Sequence, residues 1–218
     1  MTKRGAAGAV LALAAAIAGS ATAGSGPWQL ELGPVAGATA LDPQLADYRW
    51  DTAPRFESGL GAMAGRDGWG LGLRLRRTDT TQGLALDADL ADPTVRLTSA
   101  EVLGRLRLAQ LLGVGIWAGA QAGWLHLGYT PDALTFTTGG AGVPVTVDFA
   151  PVDEPVFGGG LTLRRPLGAA WAAALGAEAS TFALDTSHRR GQEIVHERER
   201  FWNWSLRLAV TWRTALGS

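Results

Sequence analysis

Residues 202–213 read WNWSLRLAVTWR. Taking every second position gives Trp202, Trp204, Leu206, Leu208, Val210 and Trp212, an unbroken apolar series. Between them lie Asn203, Ser205, Arg207, Ala209, Thr211 and Arg213. A period of two is the repeat of a β-strand, whose side chains point alternately to opposite faces. One face of this strand is apolar with tryptophan at both ends, and the other carries arginine. By itself the stretch suits two architectures. A soluble barrel turns its apolar face inward, whereas a membrane barrel turns it toward lipid.

The same alternation recurs along the chain. Trp28, Leu30 and Leu32 alternate with Gln29, Glu31 and Gly33, and Trp69, Leu71, Leu73 and Leu75 with Gly70, Gly72, Arg74 and Arg76. Val102, Gly104, Leu106 and Leu108 oppose Glu101, Leu103, Arg105 and Arg107. Val114, Ile116, Ala118, Ala120, Ala122 and Trp124 oppose mostly Gly and Gln121. Trp171, Ala173, Leu175, Ala177 and Ala179 oppose Ala172, Ala174, Gly176, Glu178 and Ser180. Weaker patterns over 56–65 and 156–165 bring the expected total to eight strands. The apolar parity slips between Val95 and Leu97 on one side and Val102 on the other, which predicts a β-bulge near Ser99 and Ala100.

The connections alternate in length. Short ones are expected at 65–68, 109–112 and 165–168, and long ones near 39–55, 78–93, 130–155 and 185–197. Strict alternation gathers the tight turns at one end and the long loops at the other. That is an all-β, eight-stranded antiparallel up-and-down barrel. Within the third loop, two strand extensions are expected around Gly139-Gly140-Ala141-Gly142.

Composition decides between the two faces. The polar face is rich in Gly, Ala, Ser and Thr with scattered Arg and Glu, which suits the crowded interior of an eight-stranded barrel. Lys3 is the only lysine in the chain. The aromatic residues also sort by height. Trp28, Trp69, Trp171 and Trp212 fall beside the tight turns or the termini, and Trp124, Tyr129, Phe157, Trp202 and Trp204 near the long loops. Two such belts are what a bilayer's two interfaces select, and a soluble core has no reason to build them. Strand cores of about 9–11 residues also match a tilted strand crossing hydrocarbon. The apolar face is therefore expected to meet lipid.

The first 23 residues read as a secretory leader: Lys3 and Arg4, the apolar run Ala6–Ala18, then Ala21-Thr22-Ala23 as an A-x-A cleavage signal. The barrel domain is expected over 24–218. Without the leader's two basic residues, the 19 Lys and Arg of the chain fall to 17 against 20 acidic residues, which gives no footing for nucleic acid. The chain has no cysteine, hence no disulfide and no lipid-anchoring thiol after the leader, and no later segment has the ~18 consecutive apolar residues of a membrane helix.

The leader, the eight alternating strands, the three short turns, the four long loops and the terminal strand 202–213 together resemble the small eight-stranded outer-membrane proteins of diderm bacteria. The resemblance spans the mature chain and is architectural. It implies periplasmic tight turns, extracellular loops, an outer-membrane location and a monomer. It also implies contact with lipid, lipopolysaccharide and the insertion machinery. Such proteins usually end on an aromatic residue, whereas here Arg213 to Ser218 follow Trp212.

The charged residues predicted to face inward are Glu31, Arg74, Arg76, Glu101, Arg105, Arg107, Arg164, Glu178 and Arg207. Buried charges must be paired, so the expectation is an ion-pair network that plugs the lumen, with Arg207 between Glu31 and Glu178. The alternative is a narrow channel, which the excess of arginine would bias toward anions; small hydrophobic solutes are another possible cargo. The loop acids Asp79, Asp87, Asp89, Asp92, Asp132, Asp148, Asp153 and Glu154 read as solvated charge, with divalent cations bridging to lipopolysaccharide as the other reading. His188 and His196 are too far apart in a loop to promise a metal site, and no cofactor is expected. A lipid A-modifying enzyme would need His126 beside a serine. His126 shares the parity of Trp124 and has no such motif, so no catalysis is expected.

Overall fold

The computed structural model describes residues 26–84, 91–138, 143–190 and 193–216, and the leader predicted over 1–23 lies outside them. Eight strands close into a barrel: β1 (Trp28–Ala40), β2 (Arg55–Arg66), β3 (Trp69–Thr81), β4 (Thr94–Leu111), β5 (Val114–Thr130), β8 (Val152–Pro166), β9 (Trp171–Arg190) and β10 (Glu193–Leu216). Each pairs antiparallel with its sequence neighbour in the ring, and β1 closes it against β10. The other two strands, β6 (Ala133–Thr138) and β7 (Val143–Asp148), lie in the third loop, where two strand extensions are expected, and pair as a hairpin separate from the barrel sheet.

β10 carries the alternation most cleanly. Trp202, Trp204, Leu206, Leu208, Val210 and Trp212 are exposed, while Asn203, Ser205 and Arg207 are buried. Leu60, Leu73, Leu75 and Leu161, from other strands, are also more than half exposed. A contiguous apolar exterior of this extent has no aqueous solution, because water charges about 25 cal/mol for each Å² left uncovered. The exterior is built for lipid, and the closed ring leaves no unpaired strand edge within it.

The tight turns lie close to their expected places. Gly68 and Gly113 take positive φ (103° and 78°) in the first and second, and Gly168 (113°) in the third. These are backbone conformations that favour glycine. The fourth connection is not a long loop: β9 and β10 stay paired as far as Arg190↔Glu193 and rise above the rest as a ribbon.

The bulge is also elsewhere. Pairing runs without a break from Thr94 to Arg107 and shifts between Arg107 and Ala109. Val95 and Leu97 keep the inward parity of Ser99 and Glu101. The slip in the sequence arises because the barrel interior changes from polar to apolar at the loop end. There Val95, Leu97, Leu125, Leu127, Val156, Phe182 and Phe201 form a core inside the barrel. Leu41, Leu45 and Trp50 close it from above, carried by the first loop and its 3-10 turn over Pro43–Tyr48. Asp42 fastens this loop, its two carboxylate oxygens accepting the Gln44 N–H (2.9 Å) and the Trp202 N–H (2.8 Å).

Candidate functional site

Below the apolar core the lumen is crossed by charge. Its positions follow from register. Gly37 on β1 pairs with Glu57 on β2 and with Arg207 on β10, so all three share one height. Glu31 pairs with Arg213 instead, six residues further toward the tight turns, or roughly 20 Å at 3.3 Å per residue. The expected contact of Arg207 with Glu31 is therefore not made. Arg207 reaches Glu178 on one side and Glu57 on the other.

The layer continues around the wall. Arg76 bonds Glu57 at 2.8 Å and also Glu101. Arg74 bonds Glu101 at 2.8 Å and Glu178 at 2.7 Å, and donates to Gln121. Thr39 donates to Glu57 at 2.7 Å and shares a 2.8 Å bond with Ser205, and Ser99 donates to Glu101 at 3.0 Å. Three guanidiniums and three carboxylates form a closed ring of bonds. That is the arrangement in which buried ions are tolerated, since removing one partner strands another.

A second group lies nearer the tight turns. Glu31 holds Arg105 at 2.9 Å and Arg164 as well. Trp117, 6% exposed, lies inside the barrel with Arg105 at 4.7 Å and Arg107 at 6.0 Å from its ring centroid. Arg107 belongs to the mouth rather than the network, paired with Asp67 of the first turn at 2.5 Å.

Glu57 and Trp117 were missed from the sequence. Glu57 sits on the strand with the weakest apolar pattern, where Ser58 interrupts the outer face. Trp117 lies between Gly115 and Gly119 on one face, and a Cβ at Gly115 would lie 2.7 Å from its Nε1. Glycines bracketing a tryptophan on the polar face are a signal of a ring folded into the lumen.

Of the expected belt residues, Trp28, Trp69, Trp171 and Trp212 ring the tight-turn end, with Trp28 and Trp69 packed edge to face at 5.3 Å. Trp124, Trp202 and Trp204 face outward near the loops, and Phe157 shares the outward parity of Leu161 and Leu163. Tyr129 does not join them. It has the inward parity of Leu125 and Leu127, stacks on Phe149 at 5.2 Å and packs against the internal core.

The loop acids are largely engaged. Asp79 bonds Arg77 (2.6 Å), Asp92 accepts the Leu84 N–H (3.1 Å), and Glu154 and Asp185 both bind Arg198. His126 meets Asp153 at 2.8 Å on the exposed face, and His196 meets Ser187 at 2.7 Å. Asp132 and Asp148 are exposed. Asp87, Asp89 and the side chain of His188 lie outside the described residues. Among the described residues no group of three or more His, Asp or Glu is placed to hold a metal. Beside the ribbon, Tyr48 lines a cavity of about 260 Å³ with Leu127, Tyr129 and Thr186; burial, with Glu199 beside it, raises its phenol above the ordinary value.

This is the fold of the small eight-stranded outer-membrane β-barrels. The chain is similar to neisserial surface protein A, with 11% identity, a TM-score of 0.50, and coverage of 87% of this chain and 97% of that one. It also matches Ail of Yersinia pestis, solved with the heparin analogue sucrose octasulfate (13% identity, TM-score 0.43, 87% and 99% covered). A third match is the outer membrane protein AlkL in lipid bilayers (14% identity, TM-score 0.48, 91% and 95% covered). No protein-family model matches the chain, and no curated protein matches it.

Proposed function

We propose that the protein is a monomeric, non-enzymatic outer-membrane barrel with a closed lumen. Its work is done at the surface, where the loops and the β9–β10 ribbon meet lipopolysaccharide or other envelope and cell surfaces. The observation that carries this reading is the double closure of the lumen. The ring of Arg74, Arg76, Arg207, Glu57, Glu101 and Glu178 is overlaid by the apolar core under Leu45 and Trp50. The void between the two is only about 20 Å³, on the order of a single water. A conducting pore needs a continuous hydrated path, and ions cross neither layer.

The exposed ribbon supports the surface role. It carries Asp185, Glu197, Arg198 and Arg200 above the barrel, where charge of both signs can meet polar surfaces. Location is tested by fractionation, with heat-modifiable migration expected in the outer-membrane fraction. Closure is tested in planar bilayers. The purified full chain is expected to leave the membrane silent, and reproducible ion-selective steps would overturn the reading.

A further inference from the structure

The lumen is closed toward the loops but open toward the tight turns. A vestibule of about 330 Å³ at that end leads to an inner cavity of about 150 Å³, and Glu31, Arg105, Trp117 and Arg164 line both. The inner cavity ends at Arg74, Glu178 and Arg207. The result is a blind pocket.

Its charges do not balance. Arg105, Arg107, Arg164 and Arg213 line the vestibule against Glu31 and Asp67, and Arg66 adds a positive charge at the rim, over the Trp28 ring at 5.1 Å. Asp67 is taken by Arg107, and the single carboxylate of Glu31 serves both Arg105 and Arg164. Arg213 has no carboxylate among the described residues and donates to the Gly168 carbonyl at 2.7 Å. The Nε–H groups of Arg105 and Arg213 are buried without an acceptor among the described residues. With Arg66 counted, five arginines face two carboxylates among the described lining residues, so three positive charges stand in excess inside a low-dielectric wall, which focuses the field on the pocket.

We propose that this pocket binds a phosphate-class oxyanion carrying two or more negative charges. A multiply charged oxyanion meets most of the excess, whereas a monoanion leaves two guanidiniums uncompensated. Guanidinium forks bind such oxygens in pairs, and the Trp117 ring lies beside two of the guanidiniums. The vestibule has room for orthophosphate or pyrophosphate. The same chemistry can come from a free phosphate or from the phosphomonoester headgroup of a lipid in the adjoining leaflet.

The test is calorimetric titration of the full chain with orthophosphate and with pyrophosphate, in phosphatidylcholine nanodiscs. Saturable binding is expected, weakened at least about tenfold in Arg107→Gln/Arg213→Gln. Arg77→Gln, changed at the far end, should bind like the parent, and heat-modifiable migration confirms that each variant is folded. Nanodiscs containing phosphatidic acid separate the sources: a headgroup ligand competes with added pyrophosphate, and a free ligand does not. Absence of saturable binding with either anion overturns the site, as does equal affinity in the double variant. The readout is independent of conductance, so the closed lumen and the anion site can fail separately.

Discussion

Arg207 on β10 bonds Glu57 on β2 across an intervening strand, reaching over Gly37 of β1. Glu57 also binds Arg76 and Thr39, so one carboxylate fixes two guanidiniums. Glu57→Gln removes that charge and leaves both cations short of a partner in the lumen. Losing one member of a buried pair costs about 3–5 kcal/mol. Urea unfolding in lipid vesicles should show a loss of that order, and a variant as stable as the parent would show the network to be dispensable.

Gly37 is the position that lets this contact form. A Cβ there would run into the Leu206 carbonyl and lie 3.1 Å from Arg207 Cγ. Gly37→Val is expected to cost about 1–3 kcal/mol by overpacking, with a fall in the temperature at which the heat-modifiable form is lost. Gly68→Ala provides the comparison: the site is open but its φ is 103°, so its cost is conformational and confined to the turn.

The lipid-facing reading of 202–213 makes a depth-dependent prediction. Leu208 lies midway between Trp204 and Trp212 and is exposed, whereas exposed Leu111 lies at the tight-turn end. Leu208→Arg should cost about 2–4 kcal/mol and Leu111→Arg about 0–1 kcal/mol in bilayer refolding equilibria. Equal costs at both positions would argue against a bilayer around this face.

The first loop is predicted to open without unplugging the barrel. Leu45, wholly buried, anchors it in the internal core, and Leu45→Ala should weaken that anchor by about 2–5 kcal/mol. Protease clipping between residues 43 and 54 should quicken, while bilayers stay silent because the ion ring beneath is intact. New conductance in this variant would assign the seal to the loop instead.

Much of the barrel was legible because a lipid-facing strand repeats every two residues, and 202–213 does so without a break. What escaped notice was set by three-dimensional offsets. The apolar stopper hid behind the parity of Val95 and Leu97, which reads as a bulge only if the interior is assumed to be polar throughout. The partner of Arg207 depended on the stagger between strands, which placed Glu57 beside it and Glu31 well below. Tyr129 looked like a belt residue by its height, but its parity with Leu125 and Leu127 sends it inside.

The bridge from Arg207 to Glu57 spans the seam where the first strand meets the last. Arg74 and Glu178 likewise join β3 to β9 through the lumen. Neither bond is available to a sheet that has not yet curled shut. Closing the seam thus adds these two bonds to the pairs that neighbouring strands already make, and the charged ring acts as a latch. A sheet halted before closure keeps the pairs Arg74–Glu101, Arg76–Glu57 and Arg207–Glu178 between neighbouring strands, so completing the cylinder is what joins separate pairs into one ring.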